Sequence, residues 1–322
     1  MLFCTWISIH DIFIVNKIIR ADPKTPQELR PQFRAFCQAL KLHPDLPDIL
    51  DTLRDPVKIP WTEITKVIET DVLGVQYGTF RACLSDDWIH TSPGPVERQR
   101  NGDFARGLRA RGVQCIVVGE VVDEWYIYSL SHPISSPRDI ISNLKRHFSD
   151  VIVERLTRCF KSLPDDASQE EAKELFGRIL SSALVHIPTR LLHRDLLAAG
   201  FPAMRYLIEW SPEQLRPDGT FDYIFYFQSY IKLIYEHIGY VTHTTDRAIW
   251  SLLTPLMTSD QVDVARNWLK SVQAEAAALR AQNPESVRRD PGAVLKLAKD
   301  RSIEWSVDKN YDQLLCKYSE EG

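Results

Sequence analysis

No two of the six cysteines stand as C-x-x-C or at a metal-ligand spacing; Cys4, Cys37, Cys83, Cys115, Cys159 and Cys316 are scattered along 322 residues. A disulfide scaffold or zinc module is therefore not expected. Cys115, set among apolar residues, reads as a small hydrophobe. Reduced cysteines favour the cytoplasm, although a native start upstream of Met1 would leave secretion open. The nine histidines never form H-x-H or H-E-x-x-H, so no metal is expected. His147, His186 and His193 fall on helical patterns and read as structural. G-x-G-x-x-G and G-x-x-x-x-G-K-[ST] are both missing, which argues against a nucleotide, and no cofactor is expected. Lys and Arg are dispersed and the formal net charge is -4, so nucleic acid is not an expected partner. The apolar start, MLFCTWISIHDIFIVNKIIR, has no basic leading region and no small-residue cleavage site. His10 and Asp11 break it, and its clean apolar part is too short to span a bilayer, so no membrane role is expected.

What remains is a chain long enough for a sizeable core, 44% hydrophobic and 25% charged, as in globular proteins. Helical spacing runs from Thr25 to Leu53, and Pro60-Trp61 restarts the chain into a short amphipathic piece. Asp86 to Asn101 is turn-rich and reads as a surface loop. Phe104 to Arg111 predicts a helix ended by Gly112, and Val113 to Val118 a buried strand. That alternation is the α/β signature. A long helical stretch follows. Ser136-Pro137 opens a helix over Arg138 to Phe148, and Ser168 with Glu171 forms a capping box for the next. Ile187 to Ala199 continues as helix, and Met204 to Trp210 returns to a strand. Thr258 with Gln261 predicts a further capping box, and SIEWSV belongs to a closing pair of strands. No internal repeat is visible.

Two segments differ in composition from the rest. Residues 1–20 contain six Ile, and residues 220–238 (TFDYIFYFQSYIKLIYEHI) are dense in Phe, Tyr and Ile. Both consist of residues with AT-rich codons, as translated non-coding sequence would. The second also fits an aromatic hairpin or lid.

Chemistry concentrates in two places. CIVVGEVVDEWYIYSL, from Cys115 to Leu130, carries Asp123 and Glu124 at the end of the apolar strand. YVTHTTDRAIW, from Tyr240 to Trp250, places His243 in a loop before a helix opened by Thr245 or Asp246. A loop histidine held by a scaffold suits a general base, and equally reads as a plain surface histidine. VVGEVVDEWYIY resembles the acid motif of type B carboxylesterases, the cholinesterase-like branch of the α/β-hydrolase fold. YVTHTTDRAIW is similar to that family's histidine motif, and GTFRACLSDDW and RYLIEW are looser matches. The resemblance implies Glu124 as triad acid, Asp123 as its neighbour and His243 as general base. It also implies a small-molecule ester substrate for a full-length form. Residues 21–322 would be the C-terminal part of such a domain, an incomplete α/β-hydrolase fold with a mixed, mostly parallel sheet and a large helical insertion.

The chain departs from that family in several ways. It has no G-x-S-x-G and no HGGG run. Only GVQYG has two glycines at elbow spacing, and its central Gln76 cannot act as a nucleophile. Trp125 and Thr244 stand where the family has glycine. The expectation is an inactive, truncated ester hydrolase, with self-association through exposed sheet edges. The alternative is a non-catalytic cholinesterase-like interaction module.

Overall fold

The computed structural model describes residues 4–8, 11–15, 24–70, 72–74, 77, 80, 83–84, 92–212, 240–243, 245–281, 290–312 and 314–315. The aromatic segment 220–238 and Gln76 lie outside the described residues, as does Thr244. The architecture is α/β. Six strands form one mixed, mostly parallel sheet in chain order: β1 (Cys4–Ser8), β2 (Asp11–Val15), β3 (Cys115–Val121), β4 (Ala203–Ile208), β5 (Ala293–Leu297) and β6 (Ile303–Val307). The ladders from β2 to β5 are parallel, and the outer pairs β1–β2 and β5–β6 are antiparallel. The edge of β3 away from β4 is paired with β2, Asp11 lying opposite Cys115.

All seven residues of β3 are buried. A parallel strand covered on both faces needs such a near-continuous apolar run. Its one small residue has a packing reason. In the β3–β4 register Gly119 faces Tyr206, and a Cβ on Gly119 would lie 2.3 Å from both the Tyr206 carbonyl oxygen and its ring. On that face Tyr206 packs against Trp250 and Trp268, with ring centroids 5.0 and 6.1 Å away. Trp268 is fully buried on the long helix Ser259–Ala281, and these residues share the main core with Ile116, Val118, Met204 and Leu295.

Between β3 and β4 the chain makes a helical excursion with its own core of Ile140, Leu144, Leu156, Phe176 and Leu180. In chain order it comprises α1 (Trp125–Leu130), α2 (Asp139–Leu144), α3 (Asp150–Arg158) and α4 (Gln169–Ser181). The Ser168–Glu171 capping box is complete, each side chain bonding the other's backbone N–H. Helix α4 widens into one π turn, Ser182–His186, before continuing as α5 (Ile187–Ala198). Pro188 has no N–H to give the ladder and its ring crowds the carbonyl four residues back, which accounts for the widening.

Several boundaries differ from the sequence expectation, each for a local reason. The strand expected over Val113 to Val118 runs from Cys115 to Val121, because the charge of Glu120 is paired inside the fold and does not end it. The helical stretch from Thr25 splits into Pro26–Ala39 and Ile49–Arg54, interrupted where Lys41 adopts a positive φ of 59°. The expected loop over Asp86 to Asn101 contains a helix, Pro95–Arg100, with proline in its first turn. Only one arm of the Thr258–Gln261 box forms. Gln261 accepts from the Thr258 N–H at 3.2 Å, while the Thr258 hydroxyl turns to Asp260.

Candidate active site

At the C-terminal end of β3 the chain turns through Val122 and Asp123 and starts α1 at Trp125. Glu124 therefore sits where a strand hands over to a helix. Its backbone is helical at φ -49°, ψ -36°, and its side chain is fully buried. One carboxylate oxygen, Oε1, accepts from the Val121 N–H at 3.3 Å. The other, Oε2, meets His243 Nδ1 at 2.9 Å. His243 lies in the turn before the short helix Arg247–Trp250 and is 17% exposed, with its Nδ1 held against a buried acid.

Sequence reasoning gave Asp123 no task; the structure gives it one. Its Oδ2 accepts from the Val241 N–H at 3.0 Å, and its own N–H donates to the Val241 carbonyl at 3.0 Å. A third bond runs from the Ile127 N–H to Thr242 Oγ1 at 3.2 Å. These contacts tie the acid turn to the histidine loop across a separation of well over a hundred residues. The pair thus rests on backbone clamps and not on side-chain packing alone.

Asp246, three residues beyond His243, is fully buried, and its Oδ2 accepts from Trp250 Nε1 at 3.1 Å. Burial first, and then the nearby charge of Glu124, push its carboxyl up to about 6 from 3.8. Sequence reasoning took Asp246 only as a helix opener, and the structure shows no side-chain cap bond from it. Trp125, which stands where the resembled family has glycine, packs in an aromatic group with Tyr126 and Tyr240. Its ring lies 5.3 Å from Tyr240 and is stacked by the Arg178 guanidinium at 5.0 Å.

A second Glu–His contact was missed. Glu120, buried within β3, accepts from Arg190 Nη2 at 2.8 Å and Nη1 at 2.9 Å, and meets His186 Nδ1 at 2.9 Å. The signal was present, since a carboxylate in an otherwise apolar buried strand demands a partner. His193 is buried, its Nε2 3.3 Å from the Ala203 carbonyl, and burial together with Arg205 pushes it down to about 3. Among the described residues no group of three or more His, Cys, Asp or Glu could hold a metal ion. No described helix is long and apolar enough to cross a membrane.

An α/β sheet with a buried carboxylate fixed to a part-exposed imidazole beyond the strand ends is an arrangement that can hold and move a proton at Nε2. No protein-family model matches the chain. Over 195 residues, 59% of this chain, it is 25% identical to a Schizosaccharomyces pombe protein bearing the name uncharacterized esterase/lipase. The match spans 34% of that protein, so the chain covers about a third of the length of the relative it matches. The likeness is to a protein named for ester hydrolysis, and that name does not specify type B carboxylesterases.

Proposed function

We propose that Glu124 and His243 are the acid and base of a Ser–His–Glu acyl-transfer site of the type B carboxylesterase kind. Residues 21–322 then correspond to the C-terminal part of an ester hydrolase. The observation that carries this reading is the 2.9 Å contact between a fully buried carboxylate and a part-exposed imidazole. The likeness to a protein named esterase/lipase supports it from a separate direction.

The chemistry follows from the tautomer. An ionised Glu124 can only accept, so the neutral imidazole carries its proton on Nδ1 and keeps a lone pair on Nε2. In acyl transfer that lone pair takes the proton of a serine hydroxyl as the oxygen attacks an ester carbonyl. The imidazolium then hands the proton to the leaving alcohol, while Glu124 holds the ring and stabilises its charge.

The 322 residues hold no G-x-S-x-G to supply that serine. Losing a triad nucleophile costs on the order of 10⁶ in turnover, so this chain by itself is expected to be inactive. The test is hydrolysis of p-nitrophenyl butyrate by the purified chain and its His243→Ala variant. Equal, background-level rates are expected, and faster turnover by the unmodified chain would overturn the inactivity. The missing elbow also favours a second reading, a non-catalytic interaction module. Sequencing the transcript upstream of Ala21 separates the two. An in-frame G-x-S-x-G supports the hydrolase, and a confirmed start at Met1 without one supports the module.

A further inference from the structure

On the face of the sheet opposite Tyr206, a cleft of about 700 Å³ opens between the α4–α5 helices and the ends of β3 to β6. Its floor is an ion cluster. Glu120 is bonded by Arg190 as described above, and Asp308 is bonded by Arg205 at 2.6 Å and Arg190 at 2.7 Å. Arg190 and Arg205 are nearly fully buried, as is Glu120. Two carboxylates and two guanidiniums cancel, so the cluster is already balanced without His186. The imidazole is surplus to a structural strut, yet it is bonded to Glu120 and lines the cleft at 20% exposure.

The ionisation of Glu120 is determined by its surroundings. Burial opposes a charge on Glu120, but the guanidiniums of Arg190 and Arg205, with the hydrogen bond from His186, outweigh it and hold the carboxyl well below the usual carboxylate range. Glu120 is therefore an acceptor throughout the working range, and a neutral His186 must donate from Nδ1. Its Nε2 then carries a lone pair and has no hydrogen-bond partner among the described residues. The groups facing the ring are Glu120 from β3, Arg190 from α5 and, through the cluster, Arg205 from β4 with Asp308 beyond β6. At the rim, Lys161 and Lys309 have no ion pair among the described residues, Lys296 is shared with Glu304 at 3.3 Å, and Glu209 is the facing carboxylate. The rim is thus net positive above a neutral floor.

We propose that this cleft is a ligand site, separate from the Glu124–His243 pair, for a small organic anion with a hydroxyl beside its carboxylate or phosphate. The rim lysines take the charge, and His186 Nε2 accepts the hydroxyl hydrogen bond. The orienting Glu120 gives the site a donor-reading element that a simple basic patch lacks.

The experiment is a titration of the intact chain, followed by nitrogen-15 NMR of the histidine rings, with malate, succinate and inorganic phosphate as probes. Before any ligand, His186 should show the Nδ1–H tautomer; an Nε2–H tautomer overturns the proposal and needs no variant. Malate should bind saturably, move the His186 Nε2 signal, and bind about fivefold tighter than succinate, the size of one hydrogen bond. Phosphate should compete with malate. The Lys161→Ala, Lys309→Ala double variant should weaken malate and succinate alike, and His186→Gln should remove the difference between them while His243 signals stay unmoved. Failure of malate to saturate, equal affinity for malate and succinate in the unmodified chain, or indifference to the lysine replacements would each overturn it.

Discussion

Replacing Gly177 by alanine should destabilise the protein and disturb the Glu124–His243 pair, although alanine is the better helix former. Gly177 lies on α4 where that helix crosses the start of α1. A Cβ built there would stand 2.3 Å from the Trp125 carbonyl oxygen, 2.9 Å from the Ser129 nitrogen and 3.0 Å from the Ser129 Cβ. Two of these neighbours are backbone atoms that no rotamer change can move aside. Ordinary contact begins near 3.4 Å, so the two helices must separate by about 1 Å. Overpacking of this kind costs about 1–3 kcal/mol, against a gain of up to about 1 kcal/mol in helix preference. Because two of the clashing atoms are backbone, the upper part of that cost applies, and the net expectation is a loss of roughly 1–2 kcal/mol, read as a lower urea midpoint. Trp125 directly follows Glu124, and Ile127 donates to Thr242 beside His243, so the shift reaches the pair. Urea unfolding followed by tryptophan fluorescence measures the first effect, and the His243 ring proton signal in NMR measures the second. An alanine variant as stable as the parent, with that signal unmoved, would refute the reasoning.

Two further outcomes follow from the acid turn. Asp246, raised from 3.8 to about 6 by burial and then Glu124, holds its proton more tightly when folded. Its stabilisation is full below about pH 4 and lost as pH rises through 6, about 3 kcal/mol in all. Asp246→Asn keeps an acceptor for Trp250 and cannot ionise, so it should gain on the parent between pH 4 and 8; parallel stability curves would count against this. Asp123→Ala should cost about 1–3 kcal/mol by leaving the Val241 N–H unmet, and Asp123→Asn, which retains an acceptor, should restore most of it. Equal losses in the two variants, by thermal or urea unfolding, would contradict that account.

Much of the architecture was legible in the sequence because its signals are local. The Ser168–Glu171 box, the apolar run of β3 and the closing β5–β6 hairpin depend on residues within a few positions of one another. The placement of Glu124 at a strand end and of His243 in a loop was readable for the same reason. Long-range pairing was not. Glu120 finds its partners 66 and 70 residues away, and Arg205 reaches Asp308 across 103. Nothing within a short window distinguishes His186, on a helix, from a satisfied structural histidine. The π turn that carries it also escaped, because Pro188 signals a disturbance in the ladder without saying how the helix absorbs it. Asp123 was passed over because its task is to hold the backbone of a loop 118 residues distant.

The parallel sheet has a consequence for the order in which the molecule comes together. Every neighbour of β3 is remote in the chain: Asp11 pairs with Cys115, and Val121 with Ile208. The Glu124–His243 contact closes a loop of 119 residues. Such closures sacrifice chain entropy before any contact rewards them, which makes high contact order the slow part of folding. The helices of the excursion, stabilised by short-range contacts, can form early and enclose their own small core. The acid–imidazole pair is therefore among the last features to assemble, and a chain with every helix in place still has no site.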